Sequence, residues 1–337
     1  MCTRTELQNL RWPVEKAEAW MKKMGVIKGV NYVPAYAPGY VSMWHDFREH
    51  DICRELDWAV EIGVNAVRVF MLTAQWQTSR NIVLPRIDRF LDLCAQRKLS
   101  VMFTLQPNAV VGPDHATDVA QPIRHVPCIN AHSAGWAYEG AQWGPEGWTA
   151  VLDEVRDFVR GIVGRYAQDE RIAIWDLYNE CHPDSEALQE KVFRVAREVN
   201  PTQPLTASWR AFDLSDVVTF HCYEDPLRVE RRDNFLLAFN EELDRALAQG
   251  RPTLCTECLA RPFGNELQAF LPVFAREKIG FYVWGLCEGC GNYRMPWGWP
   301  DGSPEPKRWF HCLLYPDGTP YDPSEMRLIR MFGWKQD

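Results

Sequence analysis

The sequence has no apolar run approaching the ~18 residues that a membrane-crossing helix needs, so a membrane partner is not expected. No apolar stretch of the kind a secretory leader carries follows Met1-Cys2-Thr3-Arg4, and the expectation is a cytoplasmic protein. Basic runs are missing too. Against 45 Asp and Glu stand 37 Lys and Arg, for a formal net charge of -8. Nothing here neutralises a phosphate backbone, and nucleic acid is not an expected partner. The chain lacks a GxGxxG turn and a GxxxxGK[ST] loop, which argues against nucleotide-binding folds; no cofactor is called for. It also lacks internal repeats, low-complexity stretches and a linker, so its 337 residues suit one large domain. Cysteine is not scarce, but its count of 11 is odd, which excludes complete internal pairing; the thiols are read as reduced.

What the chain has in excess is flat aromatic surface: 15 Trp and 11 Tyr. Most will be core. Several, such as Trp136, Trp143, Trp148, Trp297 and Trp299, fall in loop-like segments. Exposed aromatics on loops suit a ligand with apolar faces and polar edges, as a sugar ring has.

The stretch Ile172–Glu180, IAIWDLYNE, organises the rest. It begins as a buried strand and ends in Asn179-Glu180, just before Cys181-His182-Pro183. Polar groups at the carboxyl end of a strand, where a Pro-containing loop starts, have the layout by which a barrel delivers a catalytic residue. The helix-like DSEALQEKVFRVAREV follows.

Around that stretch, strand and helix patterns alternate. Strands are expected at 29–33, 65–71, 99–105, 172–180, 204–207, 217–222, 252–256 and 279–286. Helices are expected at 13–24, 51–62, 85–96, 147–166, after Pro183, at 233–249, 266–277 and 323–331. The segment YVPAYAPGYVSMW reads as loop, as does the long stretch 109–146 with His115, His125 and His132. Eight strands separated by helices predict an α/β fold, a (β/α)8 TIM barrel. Residues 1–26 would form a helical extension packed on it, and 27–337 the catalytic barrel.

Polar residues gather at the strand ends: Arg68 on the second, Asn179 and Glu180 on the fourth, His221 and Tyr223 on the sixth, Glu257 on the seventh. Arg68 lies mid-strand among apolar neighbours, where an unpaired charge costs several kcal/mol, so it should point inward to a carboxylate. Two carboxylates from different strands suit glycosidic-bond chemistry, one protonating the leaving oxygen and the other acting ionised. Their separation decides the stereochemistry, with about 5–5.5 Å favouring a covalent intermediate. An ionised Glu257 would raise the pKa of Glu180.

These residues resemble those of the clan of retaining glycoside hydrolases that holds the family 5 cellulases and mannanases. The likeness lies in Asn179-Glu180, Glu257, Arg68, the His221-x-Tyr223 arrangement, and Trp284 on the eighth strand. It implies Glu180 as acid/base and Glu257 as nucleophile. It also implies that Arg68, Asn179, His221 and Tyr223 hold the nucleophile and the sugar 2-hydroxyl. NYVPAYA, RELDWAVEIGVNAVRVF and WFHCLLYPDGTPYDPSEMRLIR are similar to a bacterial branch labelled cellulase-family or 1,4-β-xylanase-like, over nearly the whole chain. Two departures stand out. Family 5 enzymes carry a His near the end of strand three; here that region is Leu105-Gln106-Pro107-Asn108, and His132 is the substitute in the sequence. That branch has an aromatic where Cys258 stands and a non-cysteine where Cys287 stands.

Cys255-x-x-Cys258 and Cys287-x-x-Cys290 have the look of zinc pairs. Cys255 sits within a strand and should face away from loop-borne Cys258, and the gap between pairs exceeds ribbon spacing. Buried thiols filling space are expected, and no metal. A zinc-dependent barrel hydrolase would need HxH on strand one, where Asn31-Tyr32-Val33 stands. The leading expectation is thus a retaining β-glycosidase acting on an oligosaccharide. The alternative is a carbohydrate-binding barrel without turnover. Gluco, xylo, manno and galacto configurations stay open. The long loop after strand three and the aromatic loop after strand eight would close one end of the cleft and favour short substrates.

Overall fold

A computed structural model describes residues 3–110, 130–132, 142–143, 152–224 and 239–334. Eight parallel strands form the central sheet. In chain order they are β1 (Lys28–Asn31), β2 (Ala66–Leu72), β3 (Ser100–Gln106), β4 (Ile172–Asp176), β5 (Leu205–Thr206), β6 (Val218–His221), β7 (Thr253–Cys258) and β8 (Gly280–Trp284). Their hydrogen-bonded order is β5-β4-β3-β2-β1-β8-β7-β6, which is the (β/α)8 barrel with one seam, between β5 and β6. No ladder joins them there, and isolated hydrogen bonds hold the closure. Thr206 and Thr219 hydroxyls meet at 2.9 Å. The Asp216 carboxylate accepts the Leu205 N–H at 2.8 Å, and the Asp216 N–H donates to the Leu205 carbonyl at 2.8 Å.

The period-2 alternation of the strands sorts the core into two parts. Val67, Val69 and Phe103 belong to the large outer cluster between sheet and helices. Ala66, Met102, Ile174, Leu254 and Tyr282 form a second, smaller cluster inside the barrel. Ala17 joins that inner cluster, with Trp20 and Met21 packed against it, so the helix Val14–Met24 covers the amino-terminal end of the strands. Among the described residues no helix is long and apolar enough to cross a membrane.

Several boundaries differ from the sequence reading. The segment taken as loop contains a helix, Tyr40–Asp46, whose Tyr40, Val41, Met43 and Trp44 are buried at helical spacing. The helix expected to start at Pro85 begins at Thr73; it kinks at Ser79 (φ -147°) rather than at the proline. The Ser79 hydroxyl at the kink meets His45 Nε2 at 2.8 Å. β4 stops at Asp176, so Asn179 and Glu180 stand just past the strand, not on it. β7 runs on to Cys258, because a register shift at Thr256 inserts an extra residue against β6 and β8. His115, His125, Trp136, Trp148 and most of the long loop after β3 lie outside the described residues, as do 233–238 of the expected helix 233–249.

Candidate active site

Arg68 is the base on which the site is built. Along β2 it alternates with Val67 and Val69, so it faces the barrel interior, where it is wholly buried. An unpaired guanidinium there is untenable. Its four partners come from three strands or their ends, β1, β4 and β7. Nη1 donates to Glu257 Oε1 at 2.7 Å and to Asn31 Oδ1 at 2.7 Å. Nη2 donates to Asp176 Oδ2 at 2.7 Å and to Asn179 Oδ1 at 2.7 Å. Burial works against its charge, and Asp176 and Glu257 outweigh it. Asn31 is itself fixed by donating to the Thr256 carbonyl at 2.9 Å, at the bulge that carries Glu257.

That bulge decides where Glu257 points. Leu254 lies in the inner cluster and Cys255 in the outer one, so strict alternation would send residue 257 outward. The extra residue turns it in, and His221 then stands opposite Glu257 in register. Cys258 returns to the outer cluster beside Cys255. The two thiols thus share one side of the strand, contrary to the expectation from spacing, and Cys258 Sγ contacts the Tyr282 carbonyl at 3.6 Å. The nine described cysteines are all free.

Glu257 keeps only 7% of its side chain accessible. Its second oxygen accepts the Tyr223 hydroxyl at 2.6 Å. Burial pushes its pKa up; His221 and Arg68 pull against that, Glu180 adds to it, and the Tyr223 hydrogen bond opposes it. Glu180 stands across the site with 34% of its side chain accessible, and its Oε1 meets His221 Nδ1 at 2.7 Å. Although its outer edge is open, the carboxyl is set deep enough that burial lifts its pKa to about 7, with Arg68 alone opposing. The leading cause is therefore burial, where the sequence reading put the charge of Glu257. His221 is neutral: burial drives its pKa down to about 4. A neutral imidazole 2.7 Å from a carboxyl shares one proton with it.

One oxygen of Glu180, one of Glu257 and a ring nitrogen of His221 all lie within 4.8 Å of one another. Carboxyls that close do not both ionise readily. Of the two, Glu257 is the one bonded to the guanidinium. Among the described residues this is the only trio of ligand-type groups brought together. Within it Glu257 is bonded to Arg68 and Tyr223, and Glu180 to His221 Nδ1, while the other ring nitrogen, Nε2, is buried without a hydrogen-bond partner.

The aromatic wall comes from β8 and the loops. Trp284 is buried, and the His132 ring lies 4.8 Å from it. His132 Nε2 meets the Tyr40 hydroxyl at 2.9 Å. Tyr223 packs edge-on to Trp297 at 4.9 Å. All eight sequence-singled residues thus meet in one region, although His132 touches the aromatic wall and not the carboxylates. Sequence reasoning missed Asp176 and Asn31. Asp176 was within reach, since alternation from buried Ile174 points it inward toward Arg68. Asn31 carried no such signal.

No family model matches the sequence, and no curated protein does. Solved structures do match. The chain is similar to an exo-β-1,4-mannosidase from Opitutaceae bacterium strain TAV5, at 19% identity and TM-score 0.58, covering 90% of this chain and 59% of that one. It is also similar to a GH5_18 protein from Streptomyces cattleya in complex with GlcNAc, at 14% identity and TM-score 0.56, covering 91% and 79%. A family 39 glycoside hydrolase from Bacteroides cellulosilyticus WH2 matches at 13% identity and TM-score 0.54, covering 91% and 64%. This chain therefore has the (β/α)8 barrel fold that these glycoside hydrolases share.

Proposed function

We propose that the protein is a retaining β-glycoside hydrolase acting on a β-linked oligosaccharide, with Glu257 as nucleophile and Glu180 as acid/base. The observation that carries this is the asymmetric carboxyl pair: donor atoms within 4.8 Å, one glutamate bound to Arg68 and Tyr223, the other with a pKa near 7. That spacing fits the roughly 5–5.5 Å at which a carboxylate attacks the anomeric carbon directly, and not the roughly 6.5–9.5 Å between carboxyls that activate a water on the opposite face. Glu180 would protonate the departing oxygen as Glu257 forms the glycosyl ester. With the negative charge of Glu257 gone, Glu180 would take a proton from water as it attacks the ester. Arg68, Asn31 and Tyr223 hold Glu257 in place, and Asn179, fixed on Arg68, presents its amide to the 2-hydroxyl side of the sugar. Trp284 and His132 supply the flat wall against which a sugar ring packs. Nine free thiols suit a reducing, cytoplasmic compartment.

The test is a screen of purified protein against aryl β-glycosides and short oligosaccharides in the gluco, xylo, manno and galacto series, with Glu257→Ala in parallel. Turnover by the wild type that vanishes in the variant, with the fold intact, is the expected result. Substantial turnover remaining in Glu257→Ala would remove it as nucleophile; binding without turnover across the panel would favour a carbohydrate-binding barrel.

A further inference from the structure

The seam between β5 and β6 borders the proposed acid/base, and the sheet does little to hold it. β5 pairs with β4 over only Leu205 and Thr206, and no ladder joins it to β6. The turn that follows, Ser208-Trp209-Arg210, is strained. Trp209 (φ 54°) and Arg210 (φ 50°) are consecutive left-handed residues without being glycine. Such positions are costly for residues with a side chain and persist only when their surroundings over-determine them.

What surrounds them is the amino-terminal segment. Arg4 Nη2 donates to the Arg210 carbonyl at 2.5 Å, and its Nε and Nη2 fork onto the Asp213 carboxylate at 2.8 and 2.6 Å. Nη1 reaches Glu190 at 2.8 Å on the helix that follows β4, and Gln8 donates to Asp213 at 2.6 Å. Farther along, Arg11 donates to the Ser215 carbonyl and the Trp12 N–H to Asp216, the residue that staples β5 to β6. Residues 4–12 thus bind the whole β5–β6 connection from one side.

The held turn touches the site in two places. The Glu180 N–H donates to Ser208 Oγ at 3.2 Å, and Glu180 is itself left-handed (φ 47°). The Trp209 ring lies 6.2 Å from the ring of His221, whose Nδ1 meets Glu180. We propose that Arg4 is a positioning residue for Glu180: by locking the Ser208–Arg210 turn against the barrel seam, it fixes the conformation and the desolvation of the acid/base carboxyl. This rests on the reading of Glu180 as proton donor. Arg4 touches neither Glu180 nor the reacting atoms; it acts through the turn.

The experiment compares Arg4→Ala and Arg4→Lys with the wild type on two aryl glycosides of one sugar. A dinitrophenyl glycoside leaves without help from an acid; an unsubstituted phenyl glycoside needs one. With Glu180 displaced, kcat/KM on the phenyl substrate should fall by about tenfold or more, toward the 10²–10⁴ that a positioned acid supplies, while the dinitrophenyl substrate stays within about twofold. Lysine keeps the charge and loses the fork, so Arg4→Lys should fall between, and it carries the test if Arg4→Ala does not fold. Equal losses on both substrates, or none, would overturn the proposal. A second readout needs no turnover: ¹³C NMR titration of the Glu180 carboxyl, assigned by its loss in Glu180→Gln. The midpoint should drop from about 7 toward the ordinary carboxyl range in Arg4→Ala, as water reaches a group whose neighbours, Arg68, Glu257 and the neutral His221, are unchanged. An unmoved midpoint would overturn the role of Arg4. A wild type inactive on every glycoside would instead overturn the proposed function, and the titration would still decide on Arg4.

Discussion

The two glutamates face each other across a few ångströms, yet the walls that carry them are built on opposite principles. Glu257 belongs to the laddered side of the barrel. It sits at a bulge in a six-residue strand and is ion-paired to an arginine that is itself bonded to Asn31, Asp176 and Asn179. Glu180 belongs to the seam side. It stands past the end of its strand, in a left-handed conformation, on a neutral histidine and a serine from a strained turn. One carboxyl is held by a network of full charges; the other is held by burial and neutral dipoles. The difference teaches how environment can set two like side chains apart: burial raises both pKa values, but His221, Arg68 and the Tyr223 hydroxyl oppose it at Glu257, and Arg68 alone at Glu180.

Removing either half of that contrast gives measurable results. The largest effect is expected from Glu257→Ala, which deletes the charged half: glycoside turnover should be lost altogether, while circular dichroism and melting stay near wild type, since Arg68 keeps Asp176, Asn31 and Asn179 and only it and the Tyr223 hydroxyl are left one partner short. Arg68→Met strips the network of its centre. It strands Asp176 and Glu257 without a cation, and should lower stability by about 3–5 kcal/mol in a denaturant titration, besides abolishing activity. Glu180→Gln attacks the other half. It keeps the shape but cannot give a proton, so hydrolysis of a phenyl glycoside should fall by about 10²–10⁴ while the first step on a dinitrophenyl glycoside survives. The mildest probe is pH. An acid with a pKa of about 7 is protonated below that value and spent above it, so kcat/KM should decline as pH rises through 7. Glu180→Gln should flatten that limb. A limb that stayed put in the variant would assign it to another group.

How much of this the sequence disclosed depends on how local the determining physics is. The barrel was legible because alternating periods of two and about 3.6 residues are local, and so was the inward-facing Arg68, a charge in an apolar strand. Strand ends were read less well. IAIWDLYNE continues its apolar pattern past Asp176, but the ladders to both neighbours stop there, at Thr104 of β3 and Thr206 of β5, which no local pattern marks. The bulge at Thr256 was invisible, since it depends on registers with two neighbouring strands; from it came the mistaken orientation of Cys255 and Cys258. The helix Tyr40–Asp46 hid behind proline and glycine punctuation. The clamp of Arg4 on Arg210 and Asp213 joins residues more than 200 positions apart, a distance no spacing rule spans.

The central claim is that Glu257 carries the charge and attacks the sugar. The most direct measurement is trapping: incubation with 2-deoxy-2-fluoro glycosides of the four candidate configurations bearing dinitrophenyl leaving groups, then peptide mass spectrometry. We expect one of them to add a single fluorosugar, on the peptide containing Glu257, and to add none to Glu257→Ala. A stable adduct on Glu180, or hydrolysis with inversion and no adduct at all, would contradict that assignment.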